Sequence, residues 1–431
     1  MNQRYDVAVI GGGAAGVVAA IQAGRAGAST LLVEKSGVLG GTTVLNAVNF
    51  PGLFHAWGQQ IIAGIGWELV TQAVAEVGDT LPDFTAWRGL PHYRLQIRVN
   101  RAVYAALADR LVLDAGVTMA LHTMLAAISE EDDGWYLTLC TKEGLRDVTC
   151  RVVVDCTGDA NAVALAGLPL SRNAVLQPGT LVVRCAGYDL NTLDLPRLER
   201  AFLAAVAAGE LRRSDLIDEE EPATHFLRMR GENSIHVVGI DGSTSSGKTQ
   251  AEVAARALIL RLQRFFRRQP GLDHFHYDFF ATECGIRETN TIHGEVRVSA
   301  ADYASGRLWE DAVCYSFYPI DVHRVDGLGI DIRPLQEGVF PTLPYRALLP
   351  RDSRNLIVAG RNASGDQEAH SAFRVQASSM AMGQAAGAAA ALAARDGREL
   401  RCVNLHDLHT LLRAHRAIVP SRAFAAAAVP S

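Results

Sequence analysis

Seven cysteines are spread through 431 residues without a C-x-x-C pair or a regular spacing. That pattern excludes a disulfide framework and reads Cys140, Cys150, Cys156, Cys185, Cys284, Cys314 and Cys402 as reduced packing residues of a cytoplasmic protein. Excess positive charge is also missing. The 41 Lys and Arg are outnumbered by 46 Asp and Glu, for a formal net charge of -5. No basic field for nucleic acid or an anionic membrane is therefore expected. The longest apolar stretch, AAGAAAALAA from Ala385 to Ala394, is too short and too small-sided to span a bilayer. His274 and His276 stand two apart with no H-x-x-x-H or cysteine cluster to support them, so no metal site is expected. The opening residues run straight into a strand pattern, and no leader peptide is expected. There is no internal repeat and no low-complexity linker.

What is present is concentrated between Tyr5 and Glu34 (YDVAVIGGGAAGVVAAIQAGRAGASTLLVE). Val7, Val9 and Ile10 lie in a short β-branched run of the kind that forms a buried parallel strand. Gly11, Gly13 and Gly16 follow in G-x-G-x-x-G spacing. The first glycine permits a tight turn, the second lets the backbone approach a pyrophosphate, and the third lets helix and strand pack closely. Ala14 and Ala15 open an alanine-rich helix whose free N–H groups and positive dipole end face the phosphates. A second apolar run, Thr30 to Val33, ends at Glu34, where a carboxylate can accept hydrogen bonds from ribose hydroxyls and repel a 2′-phosphate. Strand, glycine turn, helix, strand and terminal acid together predict a dinucleotide site.

Further along, Lys35 leads to a second glycine turn, Gly40-Gly41-Thr42-Thr43, with hydroxyls suited to phosphate or ring atoms. Residues 58–100 mix short helical pieces with proline and glycine breaks and read as an excursion from the sheet. Helical periodicity returns at Asn100 to Ala115. Met124–Ile128, Trp135–Cys140 and Val148–Arg151 read as an antiparallel piece with turns at Asp133-Gly134 and Glu143-Gly144. Arg151 to Cys156 is a further buried strand ending in Thr157-Gly158-Asp159. Residues 170–340 break this rhythm and include a long helix expected over Gln250–Arg268. The rhythm resumes with a strand at Asn355–Ala359, a turn at Gly360 and a small-residue helix from Gln376 to Ala394. A short helical tail follows, whose last residues, AFAAAAVPS, are expected to fray.

One motif competes with this reading. Gly242 to Thr249 (GSTSSGKT) matches G-x-x-x-x-G-K-[ST] between a strand-like run and a helix, the setting of a P-loop. No later apolar strand ends in an aspartate suited to hold Mg²⁺. The expectation is a solvated loop with a helix cap, with an NTP site as the rival.

Taken together, GGGAAG (11–16), Glu34, the Gly40–Thr43 turn, VVVDCTGDA (152–160), CGIRETNTIHGE (284–295), YPIDVH (318–323), NLIVAGRNASGD (355–366) and RVQASSMAMGQAAGAAAA from Arg374 resemble the glutathione-reductase-type flavoproteins. Within them, the chain resembles the broad group of FAD-dependent oxidoreductases. The resemblance covers nearly the whole length. It implies an α/β fold: a discontinuous Rossmann-type FAD-binding domain at 1–168 and 345–400, an inserted mixed α+β substrate domain at 169–344, and a helical tail at 401–431. It places Gly11 to Gly16 on the FAD pyrophosphate and Glu34 on the adenosine ribose. Thr157, Gly158 and Asp159 would close over the pyrophosphate. Lys35, Gly41, Thr42, Gly360, Arg361 and Gln376 would complete the cofactor set. The helix from Gln376 would aim its N-terminus at the pyrimidine edge of the isoalloxazine, where a reduced flavin carries negative charge. No second G-x-G-x-x-G is present, against a built-in NAD(P)H domain, and no cysteine pair lies near the first helix, against a disulfide reductase. The last strand ends in Gly360-Arg361, where an aromatic hydroxylase of this kind would be expected to carry Gly-Asp.

Flavin oxidation of a C–H or C–N bond needs a proton acceptor and cations or donors that orient a polar substrate. His323, Arg324, Arg287, Glu288, His293, His370 and Arg374 are candidates, with Arg287, His323 and Arg374 placed first as catalytic. His55 and Trp57 are candidates for the mouth of the site. The expected activity is oxidation of a small polar substrate with hydride passing to flavin N5. A separate, unidentified electron acceptor is expected as partner, with no nucleic acid and no membrane; a homo-oligomer stays open, as does a redox-neutral flavoprotein.

Overall fold

The computed structural model describes residues 3–422 and 424, so the expected fraying of the C-terminal AFAAAAVPS falls outside the described residues except at Phe424. Strand β1 (Gln3–Ile10) is the middle of a seven-stranded sheet. It lies parallel to β2 (Thr30–Val33) on one side, with Val7 opposite Thr30, and to the strand Gly144–Asp155 on the other, with Ile10 opposite Asp155. Helix α1 (Ala14–Arg25) makes the crossover from β1 to β2. After helix α2 (Arg101–Asp114), β3 (Thr118–Ala120) adds in parallel beyond β2.

Next come β4 (Met124–Glu131), β5 (Gly134–Thr141) and β6 (Gly144–Asp155), an antiparallel meander that extends the sheet. The two separate runs expected at Val148–Arg151 and Arg151–Cys156 are one 12-residue strand. Its length lets one edge serve two partners. β5 pairs antiparallel with residues 144–150, and the short β7 (Leu356–Val358) pairs in parallel with Val153–Asp155. β6 is thus the seam where a segment remote in sequence rejoins the sheet.

Two hydrophobic cores form. The first holds the sheet, α1, the short helix α4 (Gln367–Phe373) and α5 (Gln376–Asp396), an almost wholly buried helix. α5 lies against α1 so closely that only glycine fits at two positions. An added Cβ at Gly383 would sit 2.2 Å from the Ala15 carbonyl oxygen, and at Gly387 2.2 Å from that of Ala19. Gly387→Val is expected to destabilise the protein by about 1–3 kcal/mol, because backbone on both helices must move apart; a thermal melt against wild type checks it.

The second core is built from residues 181–284 together with Ala47, around helix α3 (Ser245–Phe266), whose Phe266 stacks on Phe226 at 5.2 Å. This core is narrower than the 169–344 span expected from the sequence. Ile292, Val298, Tyr303, Val313, Tyr315 and Phe340 pack into the first core instead. Hydrogen bonding explains part of this: the Tyr303 hydroxyl reaches Ser316, and Ser316 reaches Ser378 on α5 at 2.8 Å. The strand-like run before the GSTSSGKT motif reduces to one bridge, Val237 to Gly179. All seven cysteines are free, with only Cys140 and Cys402 exposed. Among the described residues no helix is long and apolar enough to cross a membrane, and no cluster of potential metal ligands occurs.

Candidate functional site

The loop from β1 to α1 shows what each glycine does. An added Cβ at Gly11 would meet the Cys156 carbonyl oxygen at 2.6 Å, and one at Gly16 would lie 1.7 Å from the Gly11 carbonyl oxygen. These two are required by the protein's own packing. At Gly13 an added Cβ would meet nothing within 4 Å. Gly13 is also the N-cap of α1, and no side chain caps that helix. Bare backbone N–H groups and an open surface therefore stand at the positive end of α1, as an anionic pyrophosphate requires. Ala14 and Ala15 form the first turn behind it.

Glu34, buried at the end of β2, folds back on this loop. It accepts hydrogen bonds from the Gly12 N–H at 2.6 Å and the Ser36 N–H at 2.8 Å. The next glycine turn presses against the cradle: an added Cβ at Gly41 would lie 2.8 Å from the Cα of Gly13. Thr42 beside it is exposed, and Lys35 is exposed and 3.9 Å from Glu283. Thr43 is buried and donates to the Gln376 side chain, whose amide donates in turn to the Val48 carbonyl at 2.7 Å. Gln376 thus fixes the N-terminus of α5 to the 40s loop. Gly360, with φ +100°, brings the turn after β7 to Ala15 on the same cradle.

At the end of β6 the organising side chain is Asp155, which sequence reasoning missed. It is buried and accepts from the Thr157 N–H and hydroxyl at 2.9 and 2.7 Å and from the Ala162 N–H at 2.8 Å. Asn362 donates to it at 3.1 Å. Burial raises its pKa, against the pull of these donors. The Thr157 hydroxyl therefore points into the protein. Asp159 is held by Arg361 at 2.6 Å and Thr289 at 2.7 Å, which ties the turn after β6 to the GIRET segment. A VVVD-x-T pattern was the available signal for Asp155.

The catalytic candidates separate into two groups. Arg324 lies at the surface, bonded to Glu219 and Asp326, and His293 is exposed. Glu288 is buried in an amide cage of Asn173, Gln177 and Gln367. His55 stacks on Phe84 at 3.7 Å, and Trp57 donates to the Val339 carbonyl at 2.9 Å, both inside aromatic clusters. His370 is buried and bonded through Nε2 to the Arg361 carbonyl at 2.5 Å.

Arg287, Arg374 and His323 come together. Arg287 is buried and donates only to neutral oxygens, the Pro178 carbonyl and the Thr180 hydroxyl, both at 2.7 Å. Burial and the Arg374 charge lower its pKa to about 9. Arg374 directly precedes the N-cap of α5; its Nε is fully enclosed without a hydrogen-bond partner. Neither arginine forms an ion pair with a carboxylate among the described residues. His323 is buried; its Nδ1 lies 2.9 Å from Nε2 of His236, and its Nε2 lies 3.4 Å from Asp321 Oδ1. The Tyr318 hydroxyl, reached by His92 and Gln96 at 3.2 Å, closes one side. His236, Asp321 and Tyr318 were not singled out from the sequence, although Tyr318 and Asp321 share the YPIDVH segment with His323.

The P-loop match has a structural use. Its last residues are already in α3, capped by Thr244 through the Gly247 N–H at 3.0 Å. Lys248 is engaged by the Cys284 carbonyl at 2.5 Å and by Glu252 at 2.7 Å.

The buried histidines make the stability of the fold depend on pH. Burial lowers His370 to about 4 and His236 to about 3, below the ordinary value of about 6.5 that the unfolded chain retains. Above pH 6.5 neither state binds the proton. As pH falls from 6.5 toward 4 only the unfolded state takes it up, so stability is lost, on the order of 3 kcal/mol for His370 alone. Denaturant midpoints at pH 7.5, 6 and 4.5 are expected to fall in that order.

A sheet with a parallel centre, a glycine turn and a bare helix N-terminus after its first strand, and a buried acid folded back on that turn make up a dinucleotide-binding fold. The family model for FAD dependent oxidoreductase matches residues 6–412, and the chain belongs to that family. It is an FAD-dependent enzyme, and the cradle at Gly13 and Glu34 fits that cofactor. Local similarity reaches 49% identity over 53 residues with dihydrolipoyl dehydrogenase of Trypanosoma brucei brucei, 12% of this chain and 11% of that one. It reaches 56% over 42 residues with 3-oxosteroid 1-dehydrogenase of Mycolicibacterium smegmatis, 10% of this chain and 7% of the other. The chain thus spans about a tenth of the curated relatives it matches. Among solved structures, the OxyS anhydrotetracycline hydroxylase of Streptomyces rimosus is similar at TM-score 0.45 and 13% identity, over 96% of this chain and 66% of that one.

Proposed function

We propose that the enzyme oxidises a small polar substrate that carries a carboxylate, with a hydroxyl or amine at the carbon to be oxidised. Within the family it groups with the glutathione-reductase-type flavoproteins, and it passes electrons to a separate acceptor. The observation that carries this reading is a pair of guanidinium groups, Arg287 buried and Arg374 with its Nε enclosed, neither in an ion pair with a carboxylate among the described residues and both offset in part by the Asp321 acid nearby. Two positive charges against one acid leave a net charge that is costly out of water, and a substrate anion relieves that cost at both groups. Bound FAD supplies a two-electron acceptor that takes hydride at N5. The chain supplies the rest. The arginines orient the anion, His323 Nε2 offers a place for the substrate's proton, and Tyr318 excludes water. The unit around the second core, which Arg287 borders through Ile286, covers the substrate.

The test is anaerobic titration of the flavin-loaded enzyme with 2-hydroxy and 2-amino carboxylates and with the matching uncharged amides. Bleaching by members of the acid set alone is expected. Flavin that dithionite reduces but no carboxylate bleaches would overturn the reading in favour of a redox-neutral flavoprotein.

A further inference from the structure

We infer that His236 is a positioning residue that fixes the tautomer of His323, so that His323 Nε2 and the Asp321 carboxyl form a two-atom seat for one proton. This rests on the reading of His323 as the proton acceptor above.

The hydrogen-bond chain sets the tautomers in sequence. His236 Nδ1 lies 2.9 Å from the Gly327 carbonyl oxygen. A carbonyl only accepts, so Nδ1 carries the hydrogen. In a neutral ring His236 Nε2 is then a lone pair, and it lies 2.9 Å from His323 Nδ1. His323 Nδ1 must therefore donate, which leaves Nε2 of His323 as the lone pair. Nε2 faces Asp321 Oδ1 at 3.4 Å, and that buried oxygen has no hydrogen-bond partner. Two acceptors face each other across a gap that one proton, or one donor hydroxyl or amine, satisfies.

The surroundings keep the imidazoles neutral until a substrate arrives. Burial is the main cause, and the Arg287 charge adds to it at both rings, with His236 and Arg374 adding further at His323; Asp321 facing His323 and Asp326 near His236 work the other way. The Tyr318 hydroxyl is kept protonated by burial beside Asp321. A bound carboxylate neutralises the arginine field and so favours proton uptake at Nε2. The balance is simple: the substrate's C–H bond gives up two electrons with its hydrogen to bound FAD, the X–H bond releases a proton, a C=X bond forms, and the proton rests between His323 Nε2 and Asp321 Oδ1.

The test uses ¹⁵N-histidine-labelled full-length protein, with and without flavin, at pH 7.5. Two-bond ¹⁵N–¹H correlations are expected to show Nδ1–H tautomers for both His236 and His323. Nε2–H at His323 in the flavin-loaded protein would overturn the inference. His236→Phe is expected to leave bound flavin in place, convert His323 to mixed tautomers, slow flavin reduction roughly tenfold to a hundredfold and shift its pH profile, with His236→Gln restoring part of the rate. An unaltered His323 tautomer and pH profile in a folded His236→Phe protein would also overturn it. Because the tautomers are read without turnover, their outcome stays separate from failure of the carboxylate reading.

Discussion

Arg287→Met is expected to make the protein more stable and nearly inactive at once. The wild-type guanidinium is buried with two neutral acceptors and beside a second arginine. Its pKa is lowered in the folded state, so folding works against its charge over the whole neutral range. An apolar side chain of similar length removes that cost, and a rise of several degrees in Tm is expected despite the orphaned Pro178 and Thr180 oxygens. Substrate binding moves the other way. Losing a charge-assisted contact to an enclosed anion costs about 2–4 kcal/mol, roughly 30- to 1,000-fold in the apparent rate constant of flavin reduction at low substrate. Stopped-flow reduction and calorimetry on one preparation check both signs. Wild-type reduction by a carboxylate substrate would remove Arg287 from the site. Loss of stability without loss of rate would make it a structural residue.

Gly13→Val is expected to abolish FAD binding while leaving the folded chain intact. Gly13 has φ −77° and ψ −167°, a conformation open to any residue. An added Cβ there meets no protein atom within 4 Å, so the flavin-free protein has nothing to lose. The space it fills is the one in front of the bare N–H groups of α1, where the cofactor's phosphates must come closest. A loss of at least a hundredfold in FAD affinity is expected, on the order of 3 kcal/mol or more. Gly16→Ala is the control with the opposite signature, since its Cβ would lie 1.7 Å from the Gly11 carbonyl oxygen and must disturb the fold itself. Absorbance of bound flavin, read beside far-UV circular dichroism, separates the two. A Gly13→Val protein that binds FAD as well as wild type would move the pyrophosphate away from this loop.

How much was legible in advance depends on how far apart the interacting residues lie in the chain. Local chemistry could be read directly. The β-branched run before Gly11, the 11/13/16 glycine spacing and the acid at Glu34 specify strand, turn, helix and carboxylate within thirty residues, and each obeys a short-range rule. The turns at Asp133-Gly134 and Glu143-Gly144 gave the β4–β6 meander for the same reason. The return of a strand near Leu356 and the small-residue helix behind it could also be read, because the apolar run NLIVA and the run of small residues after Gln376 are local patterns too.

Tertiary structure alone decided the rest, because it depends on contacts across hundreds of residues. No local pattern tells Ile292 or Tyr303 which of two cores to join; a hydroxyl chain through Ser316 to Ser378 ties down Tyr303, and a backbone bond to the Asn362 carbonyl ties down Ile292. A P-loop spelling at 242–249 becomes a helix start because Thr244 caps it and Glu252 holds Lys248. Asp155 reads as one more strand end until Thr157, Ala162 and Asn362 converge on it. Arg287, Arg324 and Arg374 are equivalent as letters. Only the fold separates the arginine paired at the surface from the two that form no ion pair among the described residues, and only the fold brings His236 within 2.9 Å of His323. Sequence determined the strand, glycine turn and helix around Gly11–Gly16, since they form one contiguous stretch. The Arg287, Arg374 and His323 cluster had to wait for the fold, since it is assembled from segments that meet only when the chain closes.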